Sequence, residues 1–495
     1  MAQVTIDPQD EIGTIHPTIY GHFAEHLGRC IYDGIWVGED SPIPNTDGLR
    51  NDVVEALRKL KPPVIRWPGG CFADDYHWQD GIGPRETRPR RVNIHWGQVV
   101  ETNAFGTQEF VRLCRLVGAQ PYICGNVGSG TVRELREWVE YCNYDGDSTL
   151  ARQRAVDGSP EPMEVIYWGV GNENWGCGGS FSPEDYCTEF RRYATFVRNY
   201  GRRLYAIACG PSGNDIEWTT RFFRKLYRDY RGFRNIHGYS AHYYCGTAGT
   251  ATEYTVDQWY ELIAKGLKME RLVVQQRAAM DAYDPERAIG LIVDEWGTWH
   301  PVEKGTHPRF LYQQNTIRDA LVAATTLDIF NRHADKVVMA NIAQTVNVLQ
   351  AMILTQDEKM LVTPTGCVYE MYAPHQGGTA VRARIETEAV TYAQGEDEGQ
   401  VPLVAGSASL KGKTLFVTLT NTHAKDEVAV TIHLLGGAAA VGGTARVLTG
   451  EIHAHNTFGE PEHVCPEPLD IDASGPSFKL MLPPASVIAA EVALS

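Results

Sequence analysis

Basic residues are in deficit: 45 Lys and Arg stand against 61 Asp and Glu, a formal net charge of -16. Such a chain is a poor partner for nucleic acid or an anionic membrane surface, where affinity comes from Lys and Arg neutralising phosphates. The first residues, Met1-Ala2-Gln3-Val4-Thr5-Ile6-Asp7, contain neither a basic nor an apolar stretch, so no secretory leader is expected. No window approaches the ~18 apolar residues of a membrane-spanning helix. The 11 cysteines form no Cys-x-x-Cys pair, and an odd number without a leader points to mostly reduced thiols in a cytoplasmic protein. GxxxxGK[ST] and HExxH are missing. Gly169-Val170-Gly171 and Gly125–Gly130 fail the dinucleotide spacing, and the 16 histidines show no metal-ligand pattern. No cofactor and no tightly bound metal is expected. A neutral substrate fits the charge better.

What is present fits a soluble globular protein: 43% of 495 residues are apolar and 21% charged, enough for a large core and at least two domains. The 11 Trp and 23 Tyr supply flat amphipathic rings that suit sugar faces, with core packing the alternative for each. From about residue 17 to 345, β-prone runs alternate with amphipathic helical stretches. The runs are Ile19–Ala24, Pro63–Trp67, Pro121–Gly125, Val165–Gly169, Ala206–Gly210, Gly238–Tyr243, Leu291–Asp294 and Val337–Ile342. Helices are expected at Asn51–Lys61, Thr107–Val117, Val132–Tyr141, Pro183–Tyr200, Trp218–Tyr230, Val256–Ala282 and Gln313–His333. Ser182-Pro183-Glu184-Asp185 reads as a helix start, with Ser as the cap and Pro in the first turn. A β-α unit repeated eight times predicts a closed (β/α)8 TIM barrel, an α/β fold; an open doubly wound sheet is the rival.

Beyond about residue 375 the long helices stop. Thr414–Thr420, Val428–Leu434, Thr444–Leu448, Phe478–Leu482 and Val487–Val492 read as strands of a C-terminal all-β sandwich. The expected division is a barrel over 17–375 and a sandwich over 376–495, joined by the strand-like residues 1–16. Glu396-Asp397-Glu398 reads as a solvated loop.

Two acidic segments carry the chemistry. Gly171-Asn172-Glu173-Asn174-Trp175 follows the fourth run, and Asp294-Glu295-Trp296-Gly297 ends the seventh. In a barrel, groups at the C-terminal ends of strands face one mouth. Two carboxylates meeting there are the working parts of a glycosidase: one protonates the leaving group, the other attacks or activates water. The same mouth would receive His22–His26, Arg66–Cys71, Ser240–Tyr244 and Asn341–Gln344. Arg66, on a neighbouring strand end, is a cation suited to holding Glu295 ionised. Cys71 and Cys177 both fall in mouth loops, within reach of a bond that a reducing compartment disfavours.

The ordered set Tyr20–Gly28, Arg66–Phe72, Trp168–Trp175, His242–Tyr244, Val293–Trp299, Met339–Gln350 and His455–Phe458 resembles the α-L-arabinofuranosidases of glycoside hydrolase family 51. The resemblance runs over nearly the whole chain. It implies a retaining enzyme with Glu173 as general acid/base and Glu295 as nucleophile, their carboxyl groups roughly 5–5.5 Å apart. An ionised Glu295 favours the protonated form of Glu173 until the covalent intermediate removes that charge. The resemblance also implies that Glu25, Cys71, Asn172, Tyr244 and Gln350 hold the sugar ring. His242 is a residue to orient a carboxylate, or else a satisfied barrel histidine. Trp96 and Trp299 are platforms for sugar or aglycone, or else core residues. The implied reaction is exo removal of terminal non-reducing α-L-arabinofuranosyl groups from arabino- and arabinoxylo-oligosaccharides, by a homo-oligomer that is often a hexamer in this family. Another retaining glycosidase on the same barrel, an endo-β-glucanase or β-xylosidase, is the alternative. A non-catalytic sugar-binding barrel would lack one carboxylate, and both are present.

Overall fold

The structure is a computed structural model that describes residues 2–230, 232–246 and 248–495. Eight parallel strands close into a barrel: Gly21–Phe23, Val64–Trp67, Gln120–Gly125, Tyr167–Val170, Tyr205–Ala208, Gly238–Gly246, Gly290–Trp299 and Val337–Ala343. The last pairs with the first, Asn341 opposite Gly21, so no edge is left open. The expected TIM barrel is therefore what forms, because these runs are buried on both faces by the barrel interior and the outer helices. Ser182 caps helix Pro183–Ala194, accepting from the Asp185 N–H at 3.2 Å.

Three helices differ from expectation, one of them Gln313–His333, which forms only over Ile317–Arg332. The helix from Pro183 stops at Ala194 rather than Tyr200, and the Asn235 amide takes up the exposed carbonyls of Ala194 and Val197. Val256–Ala282 is two helices, Val256–Leu267 and Met269–Asp281. Gly266, a weak helix former pressed against Val322, sits at the break.

Towards its C-terminal end the seventh strand carries one residue more than either neighbour. Ser240 and His242 face Ile292 and Glu295, while Ala340 and Ile342 face Val293 and Trp296. This bulge matters for the site. Adjacent strand residues normally point to opposite faces, but an extra residue re-aims side chains. Asp294 and Glu295 both turn towards Arg66.

The C-terminal sandwich has its own apolar core, separate from that of the barrel. Strand Ala2–Thr14 joins it as expected, antiparallel to Thr379–Glu386 and parallel to Val428–Leu434. Strands Thr379–Glu386 and Val404–Lys411 were not expected from the sequence, and the second pairs with Thr414–Asn421. Glu396–Glu398 does not form a plain loop. Asp397 begins a strand that pairs with Ala389–Gln394, and this hairpin lies on the barrel helix Val256–Leu267, the Ala393 N–H reaching Asp257 at 3.0 Å. The sandwich is tied to the barrel through Asp328, which accepts from Thr418 at 2.6 Å and Ser407 at 2.7 Å. Burial pushes the Asp328 carboxyl up to about 6, against the pull of those hydroxyls. Among the described residues no helix is long and apolar enough to cross a membrane.

Candidate active site

A cavity of ≈ 420 Å³ opens at the C-terminal ends of the strands. Glu173 reaches it from the turn after the fourth strand. A side chain at Gly171 would collide with Asn174, and Glu173 itself has φ +41°, in the left-handed region. Such backbone costs ~1–3 kcal/mol and is a mark of functional turns. Asp74 fixes this turn from below. Its carboxylate accepts from the N–H groups of Asn172 at 2.7 Å, Val127 at 2.6 Å and Gly128 at 2.8 Å, so one buried acid ties three mouth loops together. Burial pushes Asp74 up to about 7, although these N–H groups oppose the shift.

Glu295 comes from the bulge. Arg66 donates to its Oε1 at 2.8 Å and Tyr244 to its Oε2 at 2.9 Å. The second arm of Arg66 donates to Asn172 at 2.6 Å, and its plane lies over Phe23, 4.7 Å from the ring centre. One rigid guanidinium fork therefore spaces Glu295 from the residue preceding Glu173. Burial, with the Glu173 charge, leaves the Glu295 carboxyl raised, although His242 and Arg66 pull it down. Two direct donors favour its ionised form.

His242 stands between the acids. Its Nδ1 is 2.8 Å from Glu173 and 3.5 Å from Glu295, and its Nε2 is 3.0 Å from Asp294. Burial works against the imidazolium, but Glu295, Asp294 and Glu173 outweigh it and push His242 up to about 10. Asp294 is itself held down to about 2, burial being outweighed by Arg66, His242 and the Tyr122 hydroxyl at 2.8 Å. One oxygen of each glutamate and a His242 nitrogen lie within 4.8 Å of one another. A retaining pair needs its carboxyl groups roughly 5–5.5 Å apart and an inverting pair ~6.5–9.5 Å, and oxygens this close fit the shorter spacing.

This site belongs to a known group of proteins. Residues 56–255 match the model of the α-L-arabinofuranosidase 1 domain, and residues 294–486 that of the α-L-arabinofuranosidase C-terminal domain. The second match starts at Asp294, so it takes in the end of the barrel as well as the sandwich. An intracellular exo-α-L-arabinofuranosidase from Bacteroides ovatus is 44% identical over 99% of this chain and 95% of its own length. The chain belongs to glycoside hydrolase family 51. Among solved structures, the family 51 arabinofuranosidase of Xanthomonas axonopodis pv. citri superimposes with a TM-score of 0.94 at 42% identity, over 99% of each chain. The α-L-arabinofuranosidase of Thermotoga maritima, in its arabinose complex, gives a TM-score of 0.87 at 32% identity over 100% of each.

Within this family 51 chain, the residues picked out by sequence divide into two groups. Glu25, Cys71, Trp96, Glu173, His242, Tyr244, Glu295 and Trp299 line the cavity. Arg66, Asn172 and Gln350 lie behind it, each 1% exposed. Gln350 spends its amide on the Thr298 N–H at 2.8 Å and the Asp319 carbonyl at 2.6 Å, bracing the end of the seventh strand. Glu25 accepts from Trp96 at 2.9 Å, Phe72 N–H at 3.1 Å and Gln344 at 3.1 Å, and burial followed by the Glu295 charge pushes it up to about 7. Trp299 stands edge-on to Tyr244. Trp78, between Cys71 and Trp96, is core, stacked on Trp138. Cys71 and Cys177 form a disulfide, against the preference for thiols: the two loops bring their Cα atoms to 5.6 Å, a distance at which the bond closes. The other nine cysteines are free. The disulfide sulfurs flank Glu173 at 3.8 and 3.6 Å.

Sequence reasoning missed Asp74, Leu311 and Leu349, and gave no role to Asp294, Trp175 and Tyr243, although it placed their segments at the mouth. Asp294 had a signal, its adjacency to Glu295, but regular alternation would have sent it to the other face. The two leucines had none.

Proposed function

We propose that the chain is a retaining exo-acting α-L-arabinofuranosidase that removes terminal α-L-arabinofuranosyl groups from arabino- and arabinoxylo-oligosaccharides. The observation that carries this reading is the close pair Glu173 and Glu295 at the mouth of a family 51 barrel. Glu295, aimed by Arg66 and Tyr244, attacks the anomeric carbon; Glu173 protonates the departing oxygen, then takes a proton from water as the glycosyl-enzyme is hydrolysed. His242 bridges Asp294 through Nε2 and Glu173 through Nδ1 and keeps Glu173 pointed into the cavity. Glu25, Tyr244 and Gln344 offer acceptors and donors to a furanose, and Trp96, Trp175 and Trp299 offer ring faces to the sugar or its aglycone. Gln350 and Asn172 act on the sugar indirectly, through the groups they brace.

The barrel-sandwich division at 375/376, with 1–16 in the sandwich, belongs to the same reading, as does a cytoplasmic location, which the word intracellular in the relative's name supports. A homo-oligomer, a hexamer by family resemblance, is the expected assembly, and light scattering measures it. Activity is tested by comparing p-nitrophenyl α-L-arabinofuranoside with the corresponding β-xyloside and a soluble β-glucan. Preference for the arabinofuranoside is expected. Hydrolysis of the glucan alone would overturn the proposal.

A further inference from the structure

A second cavity, of ≈ 380 Å³, lies beside the candidate active site. It falls within the ~300–1,000 Å³ range of small-ligand pockets. Three chain segments build both cavities. Leu27, Leu311 and Leu349 line the first, while Arg29, Phe310, Tyr312 and Asn347 line the second. The partition is stiff. The Leu349 N–H donates to the Leu311 carbonyl at 3.0 Å, and the Asn347 amide donates to the Arg29 carbonyl at 2.9 Å. Leu311 and Leu349 adopt φ of +51° and +49°, a conformation that costs an aliphatic residue energy and that surrounding structure must impose.

The chemistry of the second cavity is specific. His307 and Phe310 stack with ring centres 4.3 Å apart. The Arg309 N–H donates to His307 Nδ1 at 3.1 Å, which fixes the ring and leaves Nε2 as its remaining polar atom. The pair also touches the turn that carries Trp96: a Cβ at Gly97 would come within 2.9 Å of Phe310 and 3.0 Å of His307. The aromatic surface at the catalytic mouth therefore continues into this cavity. Gln356, Tyr312 and Arg29 add amide, hydroxyl and guanidinium groups, and no carboxylate lines it. Aromatic faces beside amide and hydroxyl groups and one guanidinium donor match a sugar ring, with its apolar C–H face and hydroxyl rim.

We propose that this cavity is a binding subsite for a neutral saccharide unit of the chain from which arabinofuranose is cut, remote from the scissile bond. The subsite rests on the proposed arabinofuranosidase activity. A chain leaving the catalytic pocket over Trp96 and Leu311 meets the His307–Phe310 face next, so substrate length is read outside the catalytic pocket. Binding energy gained there belongs equally to substrate and transition state and acts mainly on KM.

The test measures kcat and KM on p-nitrophenyl α-L-arabinofuranoside and on two series of increasing backbone length, arabinosylated xylo-oligosaccharides and arabino-oligosaccharides. Wild type is compared with His307→Ala, an exposed position, and Phe310→Ala. The expected result is a wild-type kcat/KM that rises with length in one series, which identifies the backbone. Both variants then lose roughly tenfold on the longest members, the ratio that 1.4 kcal/mol gives, mostly in KM, and keep the aryl glycoside activity. Absence of length dependence in the wild type, or equal losses on short and long substrates, would overturn the subsite. Wild type inactive on the aryl arabinofuranoside would overturn the activity instead. Calorimetric binding of unbranched oligosaccharides, expected to weaken in Phe310→Ala, then still decides the subsite.

Discussion

Arg66 and Glu295, both buried, are joined by a 2.8 Å hydrogen bond, and the same guanidinium holds Asn172 at 2.6 Å. The fork sets Glu295 and the turn bearing Glu173 as one unit. Lysine supplies the charge but only one point of contact. Arg66→Lys is expected to lower kcat/KM about 100-fold, the order lost when one preorganised donor is removed. A matching thermal unfolding curve would show that the loss lies in the site. Near-normal activity would mean that the fork is dispensable.

Loss of the proton donor depends on the leaving group. Glu173→Ala is expected to lower kcat/KM by about 10²–10⁴-fold on oligosaccharides, the usual worth of general acid-base catalysis. The loss should be much smaller on p-nitrophenyl α-L-arabinofuranoside for the glycosylation step, because nitrophenolate departs without protonation. Equal losses on both would remove the acid role.

His242 makes stability depend on pH on the alkaline side. Its folded pKa, about 10, lies above the unfolded value of ~6.5, so its contribution is fully present below ~6.5 and lost as pH rises through about 10. Asp294 acts with the opposite sign: held down to about 2, it contributes above ~3.9 and loses that contribution as pH falls through about 2. Melting temperatures of wild type should therefore fall between pH ~7 and ~10. His242→Gln should start lower and show a flatter decline. Parallel curves would mean that His242 does not titrate in this range.

Thiol counting checks the mouth loops. Denatured, unreduced protein should present nine free thiols, and eleven after reduction. Eleven before reduction would mean that Cys71 and Cys177 stand unbonded beside Glu173.

The barrel was legible because its strands are short apolar runs, rich in Val and Ile and buried on both faces, separated by helices with clear apolar stripes. Glu173 and Glu295 were legible because a carboxylate just past such a run has one natural destination. The bulge was not. An extra residue in Val293-Asp294-Glu295 leaves no mark in composition, and regular alternation would send Asp294 to the face opposite Glu295. The sandwich strands Thr379–Glu386 and Val404–Lys411 were obscured for different reasons. The first alternates with arginines that reach solvent, and the second packs small residues, Ala405, Gly406, Ser407 and Ala408, with little β signature of their own. Gln350 was named through resemblance alone, and only packing reveals that its amide is spent on Thr298 and Asp319.

The central claim is that Glu295 bonds to the sugar while Glu173 carries the proton. It is tested by incubating the enzyme with a slow arabinofuranosyl inactivator that traps the glycosyl-enzyme, digesting it and locating the added mass by peptide sequencing in the mass spectrometer. One arabinofuranosyl-derived group per chain on Glu295 is the predicted result. A label on Glu173, or turnover that releases the inverted anomer with no covalent adduct, would contradict it.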